Sequence, residues 1–173
     1  MKTKLWILCG PPASGKSTWV KENMGEYDIW ISRDKVRFSM VDEKEDYFSR
    51  EKEVFNEFIR QIVEAINSNK YDNIYVDATH INENARNKVL NRLPVDKVSL
   101  NSICFECSEK ELIRRNAERP GRACVPETAI LNMLNNYEKT DPIREKYKYD
   151  MVKYIIEGVW KYVKDLSYIR CSF

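Results

Sequence analysis

The chain has 173 residues, 43% of them hydrophobic, which fits one globular domain over residues 1–173 and leaves little room for a second large one. Its 29 basic and 27 acidic side chains nearly cancel, so whole-chain charge carries no nucleic-acid footprint and any such binding must come from a local patch. No apolar run approaches the roughly 20 residues that span a bilayer, and Met1-Lys2-Thr3-Lys4 with its brief apolar sequel lacks the length and cleavage site of a signal peptide, so a cytoplasmic protein without a membrane partner is expected.

Leu5-Trp6-Ile7-Leu8-Cys9 reads as a buried first strand. It runs into Gly10-Pro11-Pro12-Ala13-Ser14-Gly15-Lys16-Ser17-Thr18, with a helix-compatible segment from Trp19 to Met24 behind it. The spacing G-x-x-x-x-G-K-S between a strand and a helix is that of a phosphate-binding loop. Its turn-forming residues let backbone N–H groups converge on phosphate oxygens at the positive end of the next helix. Lys16 can then neutralise the β and γ phosphates, and the Ser17 hydroxyl suits a magnesium ion. A plain Gly/Pro turn would explain the glycines but not Lys16-Ser17.

A second strand, Asp28-Ile29-Trp30-Ile31, puts Ser32-Arg33-Asp34 at its carboxyl end, where open parallel sheets bind ligands, so Asp34 should face the same crevice. A helical turn over Lys35-Val36-Arg37-Phe38 and a solvated acidic stretch, Asp42-Glu43-Lys44-Glu45-Asp46, follow. Val54, Phe55, Phe58, Ile59, Ile62, Val63 and Ile66 make one stripe of a long helix, which Asn67-Ser68-Asn69 ends. Ile74-Tyr75-Val76-Asp77 is a third strand with an acid at its carboxyl end, the place of a magnesium-site carboxylate. Ala78-Thr79-His80 leaves it, and Asn82 is a candidate cap for a helix that ends before Pro94. His80 is the sole histidine, and with no nucleophile for it to activate it reads as local packing or an acceptor contact.

The fourth strand spans about Val98 to Phe105, and Ser108-Glu109-Lys110-Glu111 has the form of a capping box. The helix it opens carries Leu112, Ile113, Arg114 and Arg115 and meets a basic break, Arg119-Pro120-Gly121-Arg122. Val125-Pro126-Glu127 starts another helix with Ile130, Leu134 and Tyr137 on its apolar side. Asp141-Pro142 suggests one more short helix and Met151 to Ile156 a fifth strand, while the aromatic and basic tail over 159–173 fits strand, helix or loop alike. Cys9, Cys104, Cys107, Cys124 and Cys171 form no disulfide framework, and the Cys104/Cys107 pair lacks a second pair to complete a zinc site. The alternation of strands and helices predicts a three-layer α/β fold with a mainly parallel five-stranded sheet flanked by helices.

A phosphate loop alone does not separate kinases, switch GTPases and motor-like ATPases. Asn87-Lys88-Val89-Leu90 lacks the aspartate of a guanine-reading N-K-x-D motif. What remains is an aspartate after the second strand and an arginine-rich segment between late helices. Phosphoryl transfer to a hydroxyl needs those parts: a carboxylate for the attacking oxygen and cations for charge on the transferring group. The segment over about 115–126 is expected to be a lid that excludes water; an exposed basic helix end is the alternative.

Gly10 to Ser17, Ile31-Ser32-Arg33-Asp34-Lys35-Val36-Arg37, Asp77-Ala78-Thr79-His80-Ile81-Asn82 and Glu111-Leu112-Ile113-Arg114-Arg115-Asn116-Ala117-Glu118-Arg119 resemble, in order and spacing, the bacteriophage-type polynucleotide 5′-hydroxyl kinase domain, a P-loop kinase. The resemblance covers Lys4 to about Tyr137. It implies transfer of the γ-phosphate of ATP, with Mg2+ and with other nucleoside triphosphates as conceivable donors, to the 5′-OH end of DNA or RNA in end repair. It implies Asp34 as the general base and Arg37 as the holder of the phosphate on the 3′ side of the terminal nucleotide. Lys16 and Arg119 would stabilise the transferring group, Arg115 would act on the nucleotide phosphates, and Ser17 would ligate the metal. Asp77 would support the metal or the acceptor, with Thr79 nearby.

The basic break is one residue longer than the family pattern, which leaves Arg122 competing with Arg119. The chain has no Asp-x-Asp-x-Thr phosphatase signature, so kinase activity alone is expected, with separate phosphatase or ligase proteins supplying other steps. A phage or bacterial origin, and with it a host cytoplasm, is what the resemblance suggests. A kinase of a small-molecule hydroxyl and a regulatory ATP-binding module are the alternatives. Arg37 speaks against the first, since a neutral acceptor offers no phosphate to clamp, and Asp34 against the second. A nucleic-acid-binding protein relying on tail aromatics such as Tyr162, Tyr168 and Phe173 ranks last.

Overall fold

The computed structural model describes residues 2–156 and the backbone of 159–165. Strands β1 (Lys4–Cys9), β2 (Asp28–Ser32), β3 (Asn73–Asp77), β4 (Ser99–Glu106) and β5 (Met151–Ile156) pair in parallel in the order β2-β3-β1-β4-β5. Strand β6 (Val159–Asp165) adds antiparallel to the outer edge of β5. The expected five-stranded parallel sheet is therefore present, and the sixth strand is built from the tail whose sequence fits strand, helix or loop alike. Tyr168, Cys171 and Phe173 lie outside the described residues, as does the side chain of Tyr162.

β1 is central and covered on both faces, which is why it reads as an unbroken apolar run rather than an alternating one. Its pleat sends Leu5, Ile7 and Cys9 to one face and Trp6 and Leu8 to the other. On the first face helix α3 (Glu51–Ser68) packs Phe58, Ile59, Ile62 and Ile66, and helix α4 (Glu83–Leu90) packs Val89 and Leu90. On the second, helix α1 (Lys16–Asn23) sets Trp19 edge-on to Tyr75 and Phe105, at 5.9 and 6.1 Å between ring centres. Each large apolar side chain so buried contributes about 1.5–3 kcal/mol. Helix, sheet and helix make three layers, and all the loops that bear chemistry leave the carboxyl ends of the strands.

Asn69 ends α3 in the left-handed region, φ 52°, a conformation that asparagine tolerates. Asn82 caps α4 as expected, its Oδ1 accepting from the Ala85 N–H at 3.0 Å. Two expectations fail. Ser108 stands at the N-cap of α5 (Glu109–Ala117), so the helix opens where expected, but the two bonds of a capping box do not form: the Ser108 side chain makes no capping bond, and Glu111 is drawn to Arg114 and Arg115 on the next turn. Asp141-Pro142 opens no helix: Asp141 Oδ1 accepts from the Ile143 and Arg144 N–H groups and its carbonyl accepts from the Glu145 N–H at 3.0 Å, so the start is capped, but the chain closes only that one turn.

The 137–150 segment is instead fixed by a buried ion pair. Arg86 on α4 meets Glu145 through Nε and Oε2 at 3.1 Å, and its Nη1 donates to the carbonyls of His80 and Glu138. Tyr149 donates to the same carboxylate at 3.2 Å. Buried charge is tolerable only when its donors and acceptors are matched in this way.

Candidate active site

The phosphate loop hangs between β1 and α1. Gly10 has φ 152°, and a Cβ there would come within 2.9 Å of the Phe105 carbonyl and 2.8 Å of Ser14 Oγ, so no other residue fits. Gly15 takes φ 97° at the N-cap of α1. Ala13 also holds a positive φ, 63°, the kind of backbone strain that clusters at functional loops. The N–H of Gly10 donates to the Thr79 carbonyl at 2.8 Å, which ties the root of the loop to the β3 exit.

Lys16 is buried, and its ammonium donates to the carbonyls of Gly10 and Pro11, both at 2.8 Å. Burial lowers its pKa, the carboxylates of Asp77 and Asp34 partly offset this, and the charge of Arg119 adds to the lowering. An anion arriving in the loop would oppose both lowering influences, as a phosphate cradle requires. Ser17 and Thr18 are exposed on the first turn of α1.

Ser17 Oγ donates to Asp77 Oδ2 at 2.9 Å, and Trp30 Nε1 donates to the same oxygen at 3.1 Å. Burial raises the Asp77 pKa, while Lys16 and these two donors pull it back toward the carboxylate. A hydroxyl and a carboxylate side by side are the hard oxygen ligands that magnesium takes when substrate phosphates complete its shell. Among the described residues no group of three or more His, Cys, Asp or Glu side chains could hold a metal unaided.

His80 is buried at φ 42°, with Nδ1 2.8 Å from the Leu8 carbonyl. Burial lowers its pKa to about 4, so the ring is neutral at pH 7. Its Nδ1 contact ties the turn that leaves β3 to the end of β1.

Asp34 lies in the first turn of α2 (Arg33–Met40) and is not the cap of that helix. Ser32 is, its Oγ accepting from the Lys35 N–H at 3.4 Å. The Asp34 carboxylate is half-exposed, and its Oδ1 accepts from Arg37 Nη1 at 2.8 Å and from the Tyr47 hydroxyl at 3.1 Å. Arg37 is no surface residue: it is 5% exposed, and its Nη2 meets Glu51 Oε2 at 2.6 Å. Arg33 pairs with the other oxygen of Glu51. Glu51 thus holds two guanidiniums beside Asp34, and the Nε of each is buried without a hydrogen-bond partner.

Trp30, Tyr47 and Glu51 went unrecognised in the sequence. Glu51 reads there as an ordinary acid at a helix start, and only the fold brings it to α2.

The arginine-rich segment is a closed loop between α5 and α6 (Glu127–Asn135), with a short 3-10 turn at Gly121–Ala123. The Asn116 amide staples its base, donating to the Val125 carbonyl at 2.7 Å and accepting from the Val125 N–H at 3.0 Å. Arg115 stands over the phosphate loop, its Nη1 3.7 Å from where a Gly15 Cβ would be. Arg119 is felt electrostatically by Lys16 and keeps a buried Nη1 without a hydrogen-bond partner. Arg122 points elsewhere than the nucleotide-binding placement expected of it: its Nη1 donates to the carbonyls of Val41 and Asp42, at 3.2 and 3.1 Å, on the connection between α2 and α3.

A parallel sheet with a glycine-bounded phosphate loop at its central strand, a hydroxyl bonded to a carboxylate beside it, and a basic loop opposite defines a P-loop kinase-type nucleotide-binding domain. The family model described as an AAA domain matches residues 5–140, and the chain belongs to that family. A search of curated proteins found no match.

Among solved structures, the chain is similar to one from the Pnkp1/Rnl/Hen1 RNA repair complex, at 22% identity and TM-score 0.65, covering 78% of this chain and 44% of that one. It is similar to a fungal RNA kinase at 13% identity and TM-score 0.58, over 88% of this chain and 74% of that one. It is also similar to a sugar kinase from Janibacter sp. HTCC2649, at 13% identity and TM-score 0.54, over 91% and 87%. The chain spans less than half the length of the two RNA-repair chains it matches, 44% and 39%. At such identities the likeness is one of fold.

Proposed function

We propose that the protein is an ATP-dependent polynucleotide 5′-hydroxyl kinase. The observation that supports this most is the pair Asp34 and Arg37, a half-exposed carboxylate 2.8 Å from a buried guanidinium at the carboxyl end of β2. A hydroxyl acceptor by itself needs only the carboxylate. A nucleotide acceptor also brings a phosphate, for which a fixed cation is a positioning contact without sequence information.

In this reading Asp34 accepts the proton of the 5′-OH as its oxygen bonds to the γ-phosphorus and the bond to ADP breaks. Lys16 and Arg119 balance charge on the transferring group, and Arg115 holds the donor phosphates with the backbone of Gly10 to Thr18. Ser17 and Asp77 would hold Mg2+, which when bound neutralises the β and γ oxygens. Thr79 fixes the loop through its carbonyl, and Arg122 belongs to the acceptor side. The names of an RNA repair complex and an RNA kinase among similar structures favour a nucleic-acid acceptor, and the first favours separate repair proteins as partners. Among the described residues no helix is long and apolar enough to cross a membrane.

One feature favours the second reading, a kinase of a small neutral hydroxyl compound: the acidic turn from Asp42 to Asp46 borders the acceptor side and repels a polyanion. Transfer of labelled γ-phosphate to a short 5′-OH oligonucleotide separates the two. Label on the oligonucleotide, abolished in Asp34→Asn and strongly reduced in Arg37→Ala, is the expected result; no label despite ATP binding would exclude the polynucleotide reading.

A further inference from the structure

Three aromatic rings stand beside Asp34 with no core to enter. Phe38, one helical turn after Asp34, approaches Tyr47 at 6.2 Å between ring centres, and Tyr47 meets Phe48 edge-to-face at 4.9 Å. Phe38 is 45% and Phe48 64% exposed. Two phenyl rings clustered in water mark a surface that something covers.

Two guanidiniums flank the cluster. Arg37 lies 4.6 Å from the Tyr47 ring centre and 5.6 Å from that of Phe48, and Arg122 lies 5.6 Å from Tyr47 and 5.9 Å from Phe38. Each keeps one buried N–H without a hydrogen-bond partner, Nε of Arg37 and Nη2 of Arg122. Leading up to Tyr47 in the chain is the exposed acidic turn, held by its own hydrogen bonds, Glu45 to the Asp42 N–H and Asp46 to the Phe48 N–H. A group lying on the rings has cations on one flank and carboxylates nearby. A phosphate fits the first and is repelled by the second. A flat, uncharged group carried on a phosphate fits both.

We infer that Phe38, Tyr47 and Phe48 form a stacking platform for a nucleobase at the 5′ end of a single-stranded acceptor. The inference rests on the polynucleotide reading and adds to it what the enzyme touches besides the hydroxyl and one phosphate. The Tyr47 hydroxyl, donating to Asp34 Oδ1, joins the platform to the reacting end. Every base has a π face, so the contact is indifferent to sequence.

The test uses two oligonucleotides that differ only in their 5′-terminal residue, one bearing 2-aminopurine and one an abasic sugar. The wild type should phosphorylate the base-bearing end with kcat/KM about tenfold above the abasic end, within the range that base–aromatic stacking supplies, and 2-aminopurine fluorescence should be quenched on binding. In Phe48→Ala the ratio should fall toward unity, and in Phe48→Trp it should return. Phe48 is the ring to change because its side chain is mostly solvent-exposed, so truncation leaves the core intact.

Equal use of both ends by the wild type, or an unchanged ratio in Phe48→Ala, overturns the platform and leaves the kinase reading standing. Quenching without transfer to either end supports the platform and overturns the kinase reading. Neither quenching nor transfer overturns both.

Discussion

The Ser17 hydroxyl donates to Asp77 Oδ2 at 2.9 Å, and this bond joins the phosphate loop to the neighbouring strand β3. Both groups leave carboxyl strand ends, and Trp30 on β2 holds the same oxygen from the other side. Asp77→Asn keeps the shape and removes the charge. It should lower phosphotransfer or magnesium affinity about 10- to 100-fold while leaving thermal stability unchanged or raised, because burial already disfavours the carboxylate. Activity titrated against Mg2+ in the two proteins measures this, and superimposable titrations would remove Asp77 from the metal site.

Gly10→Ala tests the root of the loop. The added methyl would meet the Phe105 carbonyl at 2.9 Å in a backbone conformation that L residues rarely adopt. A loss of about 1–3 kcal/mol is expected in urea unfolding, together with weaker ATP binding. Gly121→Ala is the control for added bulk alone: a Cβ there meets nothing within 4 Å, so only its positive φ of 50° opposes it.

The lid arginines should separate kinetically. Arg119→Ala, which removes a cation near Lys16, should lower kcat by about 10²–10³ with little change in the KM for oligonucleotide. Arg122→Ala, which frees the α2–α3 connection, should instead raise the KM for oligonucleotide and leave that for ATP alone. The reverse pattern would mean that the lid turns over when substrates bind and that Arg122 takes the charge-stabilising place.

His80 makes stability depend on pH. Its folded pKa of about 4 lies below the ordinary value of 6.5, so the unfolded chain binds the extra proton in the window between them. Its contribution is therefore whole above about pH 6.5 and is lost as pH falls toward 4, about 2 kcal/mol of it between pH 7 and pH 5. Urea unfolding at the two pH values should show this extra loss in the wild type and not in His80→Asn, a residue that tolerates φ 42°. Equal pH dependence in both proteins would assign the loss to other groups.

Arg86→Met should cost about 3–5 kcal/mol, since it leaves the Glu145 carboxylate buried without its partner. Adding Glu145→Gln should recover part of that loss. If the double variant is no more stable than Arg86→Met, the damage lies in the freed His80 and Glu138 carbonyls rather than in the unpaired charge.

The donor half of the site was legible in the sequence because it is local. The phosphate loop is contiguous, and Asp77 closes a strand whose apolar pattern is plain. On the acceptor side Asp34 and Arg37 are candidates in the sequence but their support is not, since Glu51 reaches Arg37 and Arg33 across 14 and 18 residues of chain, and no spacing rule marks such a pair. Of the two helix signals, Ser108 opens α5 where expected and lacks only the reciprocal bond from Glu111, which goes to arginines instead, and Asp141 caps a single turn that does not continue. In the tail, alternation was too weak to show a strand, and β6 exists as an addition to the β5 edge.

The hydrogen bond from Gly10 to the Thr79 carbonyl divides the site into unequal halves. The phosphate loop, the Asp77 carboxylate and the His80 turn form one welded block on the central strands, and they cannot shift relative to one another without losing buried bonds. The lid and the α2–α3 connection are joined to each other through Arg122 and lie outside that block. Adaptation to a new acceptor is thereby confined to one side of the crevice, and a change of substrate can be sought by altering that side alone while the triphosphate grip is left untouched.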